Sequence, residues 1–167
     1  MRNNCFQAIL FDWGDTVMHD DPALTTPMLT WPQVRAVDGV HGLLDYLHTN
    51  GCRMVLATSA AISNEKEIRG ALARVYLDQY FDKIYCFDST GLKKPSAAFY
   101  QYILNDLKLK PEQVLMVGDS FENDVQASNQ IGIPAVWYNP RSAESRTGEM
   151  LFTVHSMAEL LAWFQGL

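Results

Sequence analysis

Short apolar runs alternate along the chain with longer amphipathic stretches. The apolar runs are typical of buried β-strands, and strands are predicted at residues 6–11, 53–57, 83–87, 113–117, 134–138 and 151–154. In the stretches between them, apolar residues recur at helical spacing, which predicts helices at residues 39–49, 62–77, 96–107, 122–131 and 157–164. The pattern is therefore that of an α/β protein.

Alternation of strands and helices favours parallel β-α-β units. Such units build an open, doubly wound parallel sheet with helices on both faces, a three-layer arrangement. The length of 167 residues fits one domain over residues 1–167. Residues 22–32, PALTTPMLTWP, are rich in Pro and Thr, and we expect a short flap at about residues 18–32.

Composition narrows the class of protein. Hydrophobic residues make up 48% and charged residues 19%, an ordinary globular balance, and a net charge of -6 gives no indication of nucleic-acid binding. No apolar run approaches the roughly 18 residues of a membrane span. The start of the chain lacks the apolar length of a signal peptide. Cys5, Cys52 and Cys86 form no CxxC motif, so we expect reduced thiols and a cytoplasmic protein.

Polar residues follow the predicted strands at the positions where ligands bind. In open α/β sheets, ligands lie outside the carboxyl ends of the strands. Asp12, Thr58 and Asp119 follow the first, second and fourth strands, and Lys94 precedes the helix at 96–107. We therefore expect these four residues to converge at one edge of the sheet.

The types of these residues suit phosphate chemistry. A carboxylate such as Asp12 can attack phosphorus, and Lys94 can neutralise the charge of the phosphoryl group. The hydroxyls of Thr58 and Ser59 can hold a phosphate oxygen. Taken singly, each also has an ordinary structural explanation: a turn, a helix N-cap or a solvated lysine.

The stretch VGDSFENDV adds two acids to Asp12. Asp119 follows a glycine at the end of the fourth strand, and Asp124 lies at the start of the next helix. Three carboxylates make an oxygen-rich pocket suited to Mg²⁺, which is a hard cation. The alternative for this stretch is a helix cap with a surface acid.

As a set, four motifs resemble the signatures of the haloacid dehalogenase-like hydrolase superfamily, most of whose members are phosphatases. The motifs are LFDWGDT, VLATS, GLKKP and VGDSFENDV, and the resemblance extends from Phe6 to the last helix. It implies a Rossmann-like core with strand order 3-2-1-4-5. It also implies that Asp12 is the nucleophile, Thr58 a donor to a phosphate oxygen and Lys94 a clamp for negative charge.

The same resemblance implies a Mg²⁺ site. Asp12, Asp119 and the backbone carbonyl of Gly14 would be the ligands, and Asp124 would support Lys94 or a metal-bound water. Ser59 and Trp13 are the residues that we expect to contact substrate.

The first motif departs from the superfamily pattern. Phosphatases of this group usually have Asp-x-Asp-Gly-Thr, in which the second Asp is the general acid and base. Here Gly14 stands at that position and Asp15 follows it. A missing general acid typically costs ~10²–10⁴-fold in rate. Either Asp15 takes over, or His19 or Asp20 substitutes, or the substrate has a good leaving group such as that of an acyl or aryl phosphate.

A large cap domain is not expected. The interval from Asp12 to Thr58 is filled by the flap and one helix, and the interval from Thr58 to Lys94 by a helix, a strand and a loop. The chain thus resembles the uncapped branch of the superfamily, whose open site admits a phosphorylated small molecule or macromolecule. A second subunit of a homo-oligomer is another possible cover.

The prediction is a Mg²⁺-dependent phosphatase that acts through an aspartyl-phosphate on Asp12. The alternative is a catalytically weak or inactive phosphate-binding regulatory module, in which Gly14 marks degraded chemistry. A two-component receiver domain is disfavoured, because the acids after the first strand, Asp12 and Asp15, are not adjacent. The physiological substrate does not follow from the sequence.

Overall fold

A single parallel sheet forms the centre of the protein. The computed structural model describes residues 6–166. Within this range the strands are β1 (Ala8–Phe11), β2 (Met54–Ala57), β3 (Lys83–Tyr85), β4 (Val114–Gly118), β5 (Ala135–Tyr138) and β6 (Leu151–Val154). Their spatial order is β3-β2-β1-β4-β5-β6, and each neighbouring pair is parallel. This confirms the expected order 3-2-1-4-5 and adds β6 beside β5.

Helices connect the strands as the alternating pattern predicted. They are α1 (Val40–Thr49), α2 (Glu65–Arg74), the short α3 (Phe87–Thr90), α4 (Ala97–Leu107), α5 (Ala127–Asn129) and α6 (Met157–Gly166). A π-helical segment, Phe121–Gln126, runs directly into α5, so the predicted helix at 122–131 begins with a wider turn than an α-helix has.

The strands are buried on both faces, which explains their continuous apolar sequences. In β1, Ile9 and Phe11 pack on the side of α1, α2 and α6, whereas Ala8 and Leu10 pack on the side of α4. Side chains alternate between the faces of a strand, so a strand between two helical layers needs apolar residues at every position. The result is the expected three-layer α/β/α fold.

Local hydrogen bonds place two element boundaries away from the predicted ones. The predicted third strand, at 83–87, ends at Tyr85 because the next residues form α3. The Ser89 hydroxyl accepts the Cys86 N–H at 3.2 Å and starts this short helix. Helix α2 begins later than predicted, because Asn64 and Glu67 form a capping box. Cys5 lies outside the described residues.

The segment between β1 and α1 forms a flap over one edge of the sheet. It contains a single 3-10 turn, Met28–Thr30, and within residues 6–166 no helical cap is inserted there or before Lys94. The turn packs so closely on α2 that a Cβ at Gly70 would come within 2.8 Å of Leu29 Cδ1. Among these residues, no helix combines the length with the apolar character that a membrane span needs.

Candidate active site

The predicted site residues meet in one cleft at the carboxyl ends of the central strands. The cleft has a volume of about 420 Å³, and Asp12, Thr58, Lys94 and Asp119 all line it. Its walls are the flap and the loop at residues 59–63 that follows β2. Asp12, Thr58 and Asp119 each directly follow a strand, so the parallel arrangement brings them to one rim.

Lys94 is a buried cation held between two carboxylates. Its Nζ lies 2.6 Å from Asp12 Oδ1 and 2.6 Å from Asp124 Oδ1, and the side chain is only 4% exposed. Burial alone lowers the pKa of Lys94, but the charges of Asp12 and Asp124 outweigh it and raise the pKa above its usual value. The ammonium group is therefore a permanent positive charge beside the Asp12 carboxylate.

Asp124 uses both carboxylate oxygens within the protein. Oδ1 accepts from Lys94, and Oδ2 accepts the Ser120 N–H at 3.0 Å. Burial raises the pKa of this carboxyl group, and the Lys94 charge opposes the rise. Asp124 packs so tightly on Gly118 that a Cβ there would lie 2.6 Å from Asp124 Cβ. The geometry therefore makes Asp124 a support for Lys94.

Thr16 connects the ends of β1 and β4. Its buried hydroxyl donates to Asp12 Oδ2 at 3.4 Å and accepts the Asp119 N–H at 3.1 Å. Burial raises the pKa of Asp119 to about 6, the nearby charge of Asp12 adds to the rise, and Arg141 opposes it. The two acids are thus held close to each other, at an electrostatic cost in the protein without a cation.

The carboxylate cluster fits a divalent metal ion. One oxygen from each of Asp12, Asp119 and Asp124 lies within 4.8 Å of the others. An all-oxygen donor set with excess negative charge suits Mg²⁺. Both oxygens of Asp124 already accept short hydrogen bonds, whereas Asp12 Oδ2 has only a 3.4 Å contact with Thr16, so Asp12 and Asp119 are the better candidates for direct ligands. Gly14 also lines the cleft beside them.

The loop after β2 offers hydroxyl groups on the other side of Asp12. Thr58 Oγ1 accepts the Ala60 N–H at 3.1 Å, and Ser59 Oγ accepts the Lys94 N–H at 2.9 Å. A hydroxyl that accepts in this way can still donate its own proton to a phosphate oxygen. The hydrogen bond between Ser59 and Lys94 also connects the loop after β2 to the loop that precedes α4.

Trp13 lies at the cleft but is mostly a core residue. Its side chain is buried, and the indole N–H points to Met18 Sδ at 3.3 Å. Trp31 is similarly buried, with its indole N–H donating to the Thr26 carbonyl at 2.9 Å. Contact of Trp13 with a substrate stays a prediction, and any such contact would be through an apolar edge.

Asp15 is engaged outside the cleft. It has a left-handed backbone, with φ of 57°, and its Oδ1 accepts the Asp20 N–H at 3.0 Å. Its Oδ2 pairs with Arg141, which also pairs with Asp119. Arg141 was not among the predicted site residues because its loop carries no motif, although its place after β5, at the same rim, was an available signal.

Asp20 comes to the position that faces Gly14. Among residues 6–166, those that line the cleft include Asp20 but neither Asp15 nor His19. A Cβ built on Gly14 would lie 3.2 Å from Asp20 Cβ and 3.3 Å from Asp20 Oδ2. Burial raises the pKa of Asp20. The hydrogen bond from the Asp21 N–H opposes this rise, and the negative charges of Asp15 and Asp12 add to it.

Comparison with known proteins gives one family for this arrangement. The family described as haloacid dehalogenase-like hydrolase matches residues 23–138. The pyrimidine 5'-nucleotidase PynA of Streptococcus pneumoniae is 32% identical over 131 residues, which are 77% of this chain and 54% of that enzyme. The chain therefore spans about half the length of this curated relative.

Solved structures share the fold over nearly their whole length. An uncharacterized protein from Listeria monocytogenes serotype 4b has a TM-score of 0.82 and 24% identity, with 96% of this chain and 99% of that chain covered. A HAD-type hydrolase from Bacillus subtilis, bound to magnesium, has a TM-score of 0.76 and 15% identity, with 96% and 99% covered. At these identities the likeness concerns the fold.

Proposed function

Because the chain belongs to the haloacid dehalogenase-like hydrolases, we propose that it is a Mg²⁺-dependent phosphatase that acts through an aspartyl-phosphate on Asp12. The observation that carries the proposal is the buried Lys94, held 2.6 Å from both Asp12 and Asp124 at the rim of the sheet. A structural ion pair would not require a third acid, Asp119, in the same cluster. A site that holds Mg²⁺ beside a nucleophilic carboxylate does.

The nucleophile is held for attack by its neighbours. Lys94 binds Asp12 Oδ1, and the Thr16 hydroxyl lies on the other oxygen, Oδ2. These contacts fix the plane of the Asp12 carboxylate at the carboxyl end of β1. They therefore lower the entropic cost of orienting the carboxylate for attack on phosphorus. As a phosphoryl group transfers to Asp12, Lys94 stays beside it and stabilises the negative charge.

The Mg²⁺ ligands in this proposal are Asp12, Asp119 and the carbonyl of Gly14. The bound ion would supply positive charge at the phosphoryl oxygens. Asp124 keeps Lys94 in place, and Thr58 and Ser59 would donate hydrogen bonds to the phosphate from the opposite side.

The substrate in this proposal is a phosphomonoester. A cleft of about 420 Å³ without a cap accepts a small phosphorylated molecule, and its open side also admits a phosphorylated macromolecule or a second copy of the chain. The similarity to a pyrimidine 5'-nucleotidase makes a nucleoside monophosphate a reasonable first compound to assay. A cytoplasmic location is part of the proposal, and the buried Cys86 thiol agrees with it.

The second candidate is a phosphate-binding module without turnover. The observation that favours it is Gly14, which supplies no side chain where phosphatases of this family usually carry an acid. Such a module would still bind phosphate and Mg²⁺ through the remaining residues.

Hydrolysis of p-nitrophenyl phosphate and acetyl phosphate, with Mg²⁺ or with EDTA, tests the proposal. We expect Mg²⁺-dependent turnover by the wild type and a loss of at least about 10³-fold in Asp12→Asn, because the nucleophile is gone. Asp45→Asn, on the exposed face of α1, is the matched control and should retain full activity. No turnover of either compound, with Mg²⁺ bound, would favour the binding module.

A further inference from the structure

The structure shows which residue lies where a side chain at position 14 would project. Gly14 lies in the cleft two residues after the nucleophile, and a side chain there would begin against Asp20. The distances from the Gly14 Cβ position are 3.2 Å to Asp20 Cβ, 3.3 Å to Oδ2 and 3.4 Å to Cγ. The Asp20 carboxyl group therefore occupies the space that an acid at position 14 would fill.

Hydrogen bonds hold Asp20 with one oxygen toward this space. Its Oδ1 accepts the Asp21 N–H at 2.9 Å, and its backbone N–H donates to Asp15 Oδ1 at 3.0 Å. Of its two carboxyl oxygens, Oδ2 is the one near Gly14. The flap residue is thus anchored at its backbone and at Oδ1, and Oδ2 is the oxygen presented to the cleft.

The same contacts exclude the nearest competitor for this role. Asp15 Oδ1 accepts the Asp20 N–H, and Asp15 Oδ2 forms an ion pair with Arg141. Its left-handed backbone turns its side chain toward Arg141, and it does not line the cleft within the described part of the chain. Asp15 is therefore a residue that positions Asp20.

We propose that Asp20 is the general acid and base of the reaction, in place of a side chain at Gly14; this rests on the phosphatase function proposed above. In the first step, Asp12 Oδ attacks phosphorus and the bond from phosphorus to the leaving oxygen breaks. The leaving oxygen keeps the electron pair and takes the proton from Asp20, so an alcohol departs. The products are the aspartyl-phosphate and an Asp20 carboxylate.

The second step regenerates both acids. Water attacks the phosphorus of the aspartyl-phosphate while Asp20 takes one of its protons. The bond between phosphorus and Asp12 breaks, which releases inorganic phosphate and restores the Asp12 carboxylate and a protonated Asp20. A second carboxyl group at position 14 would crowd Asp20 and repel its charge.

The test compares a poor and a good leaving group in the full chain with Mg²⁺. For Asp20→Asn we expect glycerol phosphate turnover to fall by ~10²–10⁴-fold, the usual contribution of a general acid. With acetyl phosphate, whose leaving group needs no proton, Asp12 should still be phosphorylated quickly. The phosphoenzyme should then accumulate because water is no longer activated, and mass spectrometry of quenched samples would detect it.

Two further variants separate this role from a structural one. Asp45→Asn changes an exposed acid on α1 that does not line the cleft, so it should leave both substrates unaffected. The double variant Gly14→Asp, Asp20→Ala moves the carboxyl group from position 20 to position 14. Its turnover of glycerol phosphate should return to within about tenfold of the wild type. Gly14→Asp alone should be less active than the wild type because the two acids crowd and repel each other.

The outcomes distinguish the two proposals. Suppose that the wild type is active and that Asp20→Asn is equally active on glycerol phosphate, or accumulates no phosphoenzyme. Either result overturns the role of Asp20 and leaves the phosphatase function standing. Failure of the double variant to recover, when its fold and Mg²⁺ binding are intact, also counts against Asp20. A wild type that hydrolyses neither substrate overturns the phosphatase function and this role with it.

Discussion

The site leaves little room for larger side chains, and Gly118 is the clearest example. It is the last residue of β4, and the Asp124 side chain lies directly against its Cα face. A methyl group at position 118 would push Asp124 away from Lys94 and from the Ser120 N–H. The glycine is therefore required by the close approach of an acid, since no positive φ is involved.

We expect Gly118→Ala to lower the free energy of unfolding by ~1–3 kcal/mol, the usual range for overpacking a tight site. Mg²⁺-dependent turnover should fall at least tenfold, because Lys94 loses its second carboxylate partner. Urea unfolding and steady-state kinetics measure the two effects. Gly148→Ala is the control, since a Cβ at Gly148 meets no atom within 4 Å. Equal stability of both variants and the wild type would contradict the packing argument.

The raised pKa of Asp119 predicts how the affinity for Mg²⁺ depends on pH. Burial, with the charge of Asp12, raises the pKa of Asp119 to about 6 in the protein without metal, so below this pH the carboxyl group carries a proton that Mg²⁺ must displace. The association constant should rise about tenfold per pH unit below 6 and level off above it. Calorimetry should detect about one proton released per ion at pH 5 and far less at pH 8. Binding that does not change between pH 5 and pH 8 would contradict this assignment.

Among the secondary-structure elements, the flap and α2 act together. Arg74, in the last turn of α2, donates to three flap carbonyls: Leu29 at 2.9 Å, Trp31 at 2.6 Å and Pro32 at 3.2 Å. Hydrogen bonds from a charged donor are worth ~1.5–3 kcal/mol each. The helix thereby fixes a segment that has only one 3-10 turn of its own and that carries Asp20 at its start.

Loosening this anchor should weaken substrate binding more than chemistry. For Arg74→Met we expect KM for p-nitrophenyl phosphate to rise by about tenfold and kcat to fall by less than that, because Asp12, Thr58 and Lys94 lie on other elements and, of the proposed reacting groups, only Asp20 lies on the flap. Lys66→Met removes an exposed cation from the same helix and should change neither constant. A KM for Arg74→Met equal to that of the wild type would show that the flap does not shape the cleft.

Across the whole molecule, the site joins β1 and β4 at the centre of the sheet. Asp12 follows β1 and Asp119 follows β4, and their negative charges are crowded when no cation lies between them. A ligand that binds only the folded state stabilises it in proportion to the logarithm of its concentration. Mg²⁺ should therefore stabilise the entire fold.

At 100 times its Kd, Mg²⁺ should add about 2.7 kcal/mol, which for a chain of this size corresponds to a rise in Tm of about 5–10 °C. Differential scanning calorimetry in Mg²⁺ and in EDTA measures the shift. Asp119→Asn should melt at a higher temperature than the wild type in EDTA at pH 7.5, because it removes an unfavourable charge, and should respond little to Mg²⁺. An equal Mg²⁺ shift in this variant would place the ion elsewhere.

The fold and the core of the site were predictable from local patterns. Strands buried on both faces need continuous apolar runs, and the parallel topology then places the residue after each strand at one rim. Asp12, Thr58 and Asp119 could be located in this way, and the cleft contains all three. The strand order also followed from the resemblance to a known family, while β6 was expected as a strand without a place in the sheet.

The choice among Asp15, His19 and Asp20 depended on contacts between distant parts of the chain. Arg141 reaches Asp15 from the loop after β5, and the Asp15 backbone turns in the left-handed region. Side-chain direction in a loop depends on such partners, and no periodic pattern in the sequence encodes them. Residue type and strand position therefore identify the chemistry of this rim, whereas the packing of the flap determines which carboxyl group lies beside Gly14.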